Sequence, residues 1–246
     1  MKLILLGTGG YHPNEKRHTP CMFMPEQAVM LDAGTAMFRA GQYLRTRELD
    51  IFLTHVHLDH VVGLTYLLGM MHRHPLDRVT VHAGVEQLAA LEEHLFAGPI
   101  FPKRPDCRFQ PLADEVPLAG GGRLTHFPLA HPGGSRGFRL DWPGHSLAYV
   151  TDTTAADDAP YLPHIRGVDL LLHECYFRDG QEQWAQLTGH SCTSSVAQLA
   201  AQAGVRRLVL IHINPAATED DPVGLDRAQA IFPGTELGHD RMEIDF

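Results

Sequence analysis

The densest chemistry in the chain is the run Thr54-His55-Val56-His57-Leu58-Asp59-His60, which puts four metal-competent side chains within six residues. Imidazole nitrogens and carboxylate oxygens are the donors that a borderline cation such as zinc takes when no thiolate is on offer. If the run begins extended, alternation sets His55 and His57 on one side, while Asp59 and His60 lie past the turn and can serve a second centre. That arrangement suits two adjacent ions. The bland readings are a surface loop rich in histidine and a single closed structural zinc with four ligands. Two ions need more donors. His131, Asp152 and His212 are candidates because each follows an apolar run. Singly each has an ordinary explanation, a hydrogen-bonded loop histidine or, for Asp152, a helix cap. Seventeen histidines in 246 residues nevertheless exceed what packing would call for, so some are expected to be ligands.

These residues must be positioned by elements that the hydrophobic pattern predicts. Short apolar, β-rich runs at Lys2–Leu6, Ala28–Leu31, Ile51–Thr54, Val79–His82, Leu124–Phe127, Phe138–Leu140, Leu147–Val150, Leu170–His173 and Leu208–Ile211 read as strands. Helical spacing appears at Thr35–Leu44, Val61–Met71, Val85–Leu95, Thr193–Ala203 and Leu225–Ile231. The mixture is α/β. Gly, His, Asp or Glu follows an apolar run at Gly7-Thr8-Gly9, His55, His131, Asp152, His173-Glu174 and His212, and in layered α/β folds the loops at strand ends assemble the site.

Composition bounds the rest. At roughly 150 residues per domain the chain fits one larger domain, residues 1–246, with no segment long enough to link two independent units. Its 44% apolar content supports a substantial core, and its net charge of −9 supplies no general attraction to polyphosphate, so DNA is not an expected partner. RNA would require a local basic surface, for which Lys16, Arg17, Lys103 and Arg104 are the short clusters available. No stretch approaches the roughly 20 apolar residues of a membrane helix. Cys21, Cys107, Cys175 and Cys192 form no CxxC pair, so a reducing, cytoplasmic setting is expected.

The order His-x-His-x-Asp-His, then His, Asp and His, resembles the metallo-β-lactamase superfamily. The resemblance implies a four-layered αβ/βα sandwich with a two-metal site between the sheets. Carried over, it implies that His55, His57 and His131 hold one ion, that Asp59, His60 and His212 hold the other, and that Asp152 bridges them. Gly7-Thr8-Gly9-Gly10 with Pro13-Asn14-Glu15-Lys16-Arg17, together with Leu172-His173-Glu174 and Gly189-His190-Ser191, is similar to the ribonuclease Z group, where the equivalent of His190 donates a proton and that of Glu174 orients it. His18 stands where that group usually has Asn, and Leu58 where it has Gly. The interval from His131 to Asp152, 21 residues, has room for a β-hairpin but not for the arm that grips tRNA. The compact arrangement looks more like a small cyclic phosphodiesterase of the same superfamily, without that relative's cysteine-based zinc site.

The resemblance therefore implies a binuclear phosphodiesterase acting on a small or cyclic phosphodiester or an RNA 3′ end, with zinc the first choice of metal and manganese compatible. Two cations sharing a water lower its pKa and supply a hydroxide for in-line attack. Asp59 is both ligand and candidate base, and His190 with Glu174 is the candidate acid. Asp32 resembles the residue that fixes a ligand histidine, and the Gly7–Gly10 loop offers backbone amides to an anion. His72, His74, His94, His145 and His164 are expected on the surface. The alternatives are a thioester or lactone hydrolase that needs no His190, a ribonuclease Z-type tRNA endonuclease without the arm, and a non-catalytic metal or nucleotide binder. Relatives are often dimers, so a homodimer is part of the same expectation.

Overall fold

The computed structural model describes residues 1–246, folded as two seven-stranded mixed sheets. One sheet contains β1 (Lys2–Gly7), β2 (Cys21–Met24), β3 (Val29–Leu31), β4 (Glu48–Phe52), β5 (Arg78–Ala83) and β6 (Arg108–Pro111). The second contains β7 (Glu115–Leu118), β8 (Gly122–Leu129), β9 (Ser135–Trp142), β10 (His145–Val150), β11 (Leu170–Glu174), β12 (Arg207–Ile211) and β13 (Thr235–Leu237). The last strand, β14 (Met242–Asp245), returns to the first sheet and pairs antiparallel with β1. Strands β3, β4, β5 and β6 run parallel, as do β10, β11, β12 and β13.

Strand alternation explains the layering. In β1, Leu3 and Leu5 point into a core shared by both sheets with Phe52, Phe138, Tyr149, Leu172 and Ile211, whereas Ile4 and Leu6 point to the opposite face. That outer face is covered by α1 (Leu58–Val61), α2 (Leu67–Arg73) and α3 (Val85–Ala90). The outer face of the second sheet, with Val150, Leu171 and Leu210, is covered by α4 (Leu162–Ile165), α6 (Thr193–Ala203) and α7 (Leu225–Ile231), while α5 (Glu182–Thr188) precedes α6. Three apolar layers separate helices, sheet, sheet and helices, which is the expected αβ/βα sandwich. Each fully buried Leu or Phe contributes about 1.5–3 kcal/mol.

All nine expected strands are present with shifted ends. Helices Thr193–Ala203 and Leu225–Ile231 match the expected boundaries, and three expected helices differ. Thr35–Leu44 is a 3₁₀ stretch ending at Gln42, Val61–Met71 is divided by a 3₁₀ turn over Val62–Tyr66, and Val85–Leu95 widens to π-helical turns from Leu91. At the first two, the segments cross so closely that a Cβ on Gly63 would lie 2.6 Å from that of Met37. The expected hairpin between His131 and Asp152 is β9 with β10, joined at Trp142–His145. No helix is long and apolar enough to cross a membrane.

Candidate metal centre

Every expected donor sits just past the end of a strand at one end of the sandwich, Asp59 and His60 in the short helix α1. His55, His57, Asp59 and His60 follow β4, His131 follows β8, Asp152 follows β10, Glu174 ends β11, and His212 follows β12. The structure brings all of them together. In each of the triads His55, His57, His131 and Asp59, His60, His212, the donor atoms lie within 4.8 Å of one another. His55 Nε2 and His57 Nδ1 are 3.0 Å apart. Asp152 stands between the triads, one carboxylate oxygen 3.2 Å from His60 Nε2 and the other 3.4 Å from His212 Nε2 and 3.7 Å from His131 Nε2. Asp59 Oδ2 lies 3.4 Å from His60 Nε2 and 3.5 Å from His212 Nε2.

Electrostatics favour a cation at this point. His60 Nε2 and both ring nitrogens of His212 are buried without a hydrogen-bond partner, a state that normally requires an ion or water. Burial and the neighbouring His60 hold the His55 pKa well below its ordinary value, and burial lowers that of His131, so both rings are neutral and able to coordinate. Burial works to raise the Asp59 and Asp152 carboxyls, but the surrounding histidines outweigh it and keep both ionised. His60 shows the reverse balance. Burial would lower its pKa, yet Asp59, Asp152 and Asp32 raise it well above the usual imidazole value. Buried carboxylates beside the neutral rings of His55 and His131, with His60 drawing negative charge around it, are a donor set suited to a hard or borderline divalent ion.

The outer partners fix the rings. Asp32 Oδ2 accepts from His60 Nδ1 at 2.8 Å and from the Tyr149 hydroxyl at 2.8 Å, while Asp32 Oδ1 accepts the Thr54 amide at 2.8 Å. Thr54 Oγ1 contacts His55 Nδ1 at 3.0 Å, and His131 Nδ1 faces the Gly189 carbonyl at 3.2 Å. These contacts leave the inner nitrogens directed at the centre. Asp32, Asp152 and His212 all have left-handed backbone, φ 56°, 56° and 54°, a conformation that non-glycine residues hold only where the surroundings enforce it.

Beside the cluster, Glu174 is fully buried and accepts from His190 Nδ1 at 3.0 Å, the Thr153 amide at 2.7 Å and the Ser191 amide at 3.1 Å. Burial opposes the charged form of His190, but the Glu174 carboxylate prevails and the His190 pKa is raised. Tyr176 stacks on the His190 ring at 4.5 Å between centroids, and burial pushes its hydroxyl up to about 12. Sequence reasoning missed Tyr149 and Tyr176. Tyr149 carries a usable signal, a polar tip on an inward-facing position of a strand; Tyr176 carries none.

Three expectations are corrected. The Gly7–Gly10 amides do not await an anion: Thr8 donates to Asp240, Gly9 to the His18 carbonyl and Gly10 to the Ile213 carbonyl. Glycine is required at position 10 because a Cβ there would lie 2.4 Å from the His212 ring. Arg17 turns inward to Thr8 and the Gly238 carbonyl, and Arg104 is engaged with Glu92, so neither extends a basic surface. His72, His74, His94 and His164 are exposed, but His145 is half-buried.

A family model described as a beta-lactamase superfamily domain matches residues 27–213. Ribonuclease Z of Archaeoglobus fulgidus is 25% identical over 302 aligned positions, covering 99% of this chain and 97% of that protein. Ribonuclease Z of a Synechococcus species is 43% identical over 107 residues, 42% of this chain and 33% of its own. Among solved structures, the metallo-beta-lactamase fold protein YhfI from Bacillus subtilis superposes with a TM-score of 0.81 at 18% identity over 99% of each chain. The short form of human tRNase Z superposes with a TM-score of 0.77 at 19% identity over 100% of this chain and 99% of that one. At these identities the solved structures speak for the fold.

Proposed function

The chain belongs to the beta-lactamase superfamily, and on that premise we propose that it is a metal-dependent phosphodiesterase of the ribonuclease Z kind. In this reading His55, His57 and His131 would hold one divalent ion and Asp59, His60 and His212 a second, with the Asp152 carboxylate available to both. Zinc is the first choice and manganese is compatible with the mixed imidazole and carboxylate set. When bound, such a pair lowers the pKa of a shared water and neutralises charge on phosphoryl oxygens. The chain's own residues supply the rest. His190 is tethered through Nδ1 to Glu174, which leaves Nε2 to give a proton to the departing alkoxide. Glu174, held by two backbone amides besides, keeps that ring in place. Tyr176 covers one face of the ring and limits its rotation. A cytoplasmic location belongs to the same proposal, in keeping with four unpaired cysteines.

The observation that carries the reading is the His190–Glu174 pair beside the seven-donor cluster, because hydrolysis of a thioester or lactone does not require that acid. Relatives named ribonuclease Z favour an RNA 3′ end as substrate. The short β9–β10 hairpin and the inward turn of Arg17 favour a small or cyclic phosphodiester over a folded tRNA. The deciding experiment is turnover by zinc- or manganese-reconstituted protein on bis(p-nitrophenyl) phosphate, a cyclic nucleotide, a thioester and a tRNA precursor. His190→Ala is expected to lower turnover of the cyclic nucleotide and the tRNA precursor, whose alkoxide leaving groups need a proton, by about 10²–10⁴-fold, and to affect bis(p-nitrophenyl) phosphate, whose nitrophenolate leaves as the anion, far less. Thioester turnover exceeding that on every phosphodiester, and unaffected by His190→Ala, would reject the reading.

A further inference from the structure

A cavity of about 460 Å³ lies between the loops that follow β5 and β8, walled by Gly84, Val85, Gln87, Gly133, Ser135 and Arg136. It shares a wall with the metal centre: a Cβ on Gly133 would sit 3.4 Å from His57 Nε2. Gly133 and Gly134 have φ of 82° and 80°, which the turn after His131 needs and which leaves that wall without side chains.

The cation on the cavity wall, Arg136, lacks a partner. The Arg136 guanidinium lies across Gly84, where a Cβ would come within 2.8 Å of Nη2, and its Nε is buried with nothing to accept from it. Burial disfavours the Arg136 charge and no carboxylate offsets it. Glu86, the one carboxylate on the rim, is exposed and forms no ion pair with Arg136. Solvated arginines keep Nε in water, and covered ones normally meet a carboxylate or a backbone oxygen. A half-buried guanidinium with no hydrogen-bond or carboxylate partner, lining an open cavity one loop from the metal centre, is a site for an oxyanion bound through its terminal nitrogens.

We propose that this cavity receives a second phosphate of the substrate, held by the Arg136 guanidinium, one loop away from the metal centre. The proposal rests on the phosphodiesterase reading and narrows its substrate to a molecule carrying a further phosphate, either a small bisphosphate or the adjoining nucleotide of an RNA.

Two measurements on the zinc-reconstituted protein test it. Inorganic sulfate should shift the Arg136 Nε–H nitrogen-15 resonance, assigned by its loss in Arg136→Met. The p-nitrophenyl ester of thymidine 3′,5′-bisphosphate should be preferred over that of thymidine 5′-phosphate. Arg136→Met should remove about ten- to a hundredfold of that preference in kcat/KM, the range expected for a charge-assisted contact. Arg136→Lys should restore part of it. A resonance unmoved by sulfate overturns the site, and equal turnover of the two esters by the unaltered protein overturns its assignment to a second phosphate. A sulfate shift with no turnover of either ester instead sinks the phosphodiesterase reading and the substrate assignment with it. A further gain on a short oligoribonucleotide, lost in Arg136→Met, assigns the phosphate to a polynucleotide, and its absence assigns it to a small molecule.

Discussion

At the scale of single residues the centre depends on side chains that never touch a substrate. Asp32 is fully buried and receives the His60 ring, the Tyr149 hydroxyl and the Thr54 amide at once, so it fixes one ligand directly and His55 through Thr54. Replacing its carboxylate removes the negative charge behind the His60 ring while keeping the shape. Asp32→Asn is therefore expected to weaken metal affinity by roughly 10–100-fold, read by competition with a chelator of known affinity. The melting temperature of the metal-free variant separates this from fold damage: an unchanged affinity alongside a lowered melting temperature would make Asp32 merely structural. Ser191 acts similarly on the acid side. Its hydroxyl donates to the Thr153 carbonyl and accepts the Ala155 amide, fastening the loop after Asp152 to the start of α6.

Elements set which of these residues can meet. Parallel pairing of β4 with β5 is reinforced on its surface by Asp50, which accepts from Arg78 at 2.7 and 2.9 Å and from His82 at 3.1 Å. Burial alone would raise the Asp50 carboxyl, but the His82 and Arg78 contacts bring it down to about 2. A depressed acid stabilises the fold above its unfolded value of roughly 3.9, and that contribution disappears as pH falls toward 2. Arg78 is 41% exposed at its side chain, so solvent screening reduces the effect to about 1–2 kcal/mol. Asp50→Asn should lower stability by that amount at pH 7 in urea titrations, with the difference vanishing between about pH 4 and pH 2; a pH-independent difference would assign the loss to packing. The strands and the polar residues after them were legible because alternation and strand-end position are local properties. The short strands β2, β6, β7, β13 and β14 were not, since four of them lie at or near sheet edges and Cys21–Met24 is buried throughout, without alternation. Tyr149 escaped notice for a related reason: its partner Asp32 is 117 residues away, and only the facing of the two sheets joins them.

At the scale of the whole molecule, the centre is where the two sheets are fastened to each other. His55, His57, Asp59 and His60 are carried by the first sheet, whereas His131, Asp152 and His212 are carried by the second. Each donor triad draws on both. An ion held by either triad therefore binds only when the sheets are packed, and it adds stability to the folded chain by mass action. With free metal at a thousand times its dissociation constant, one site adds about 4 kcal/mol. For a chain of this size each kcal/mol moves the melting temperature by about 2–4 °C, so removal of metal by a chelator should lower it by roughly 8–16 °C. The fastening makes a sharper demand as well. Amide exchange should quicken after chelation in both β4 and β12, whose ends lie on opposite sides of the cluster, and not at the turn from Leu118 to Gly122 that joins β7 to β8 at the far end of β8 from His131. Exchange that quickens beside β4 alone would mean that the ion is held by the His55–His60 loop without the second sheet, and the two-sheet centre would have to be abandoned.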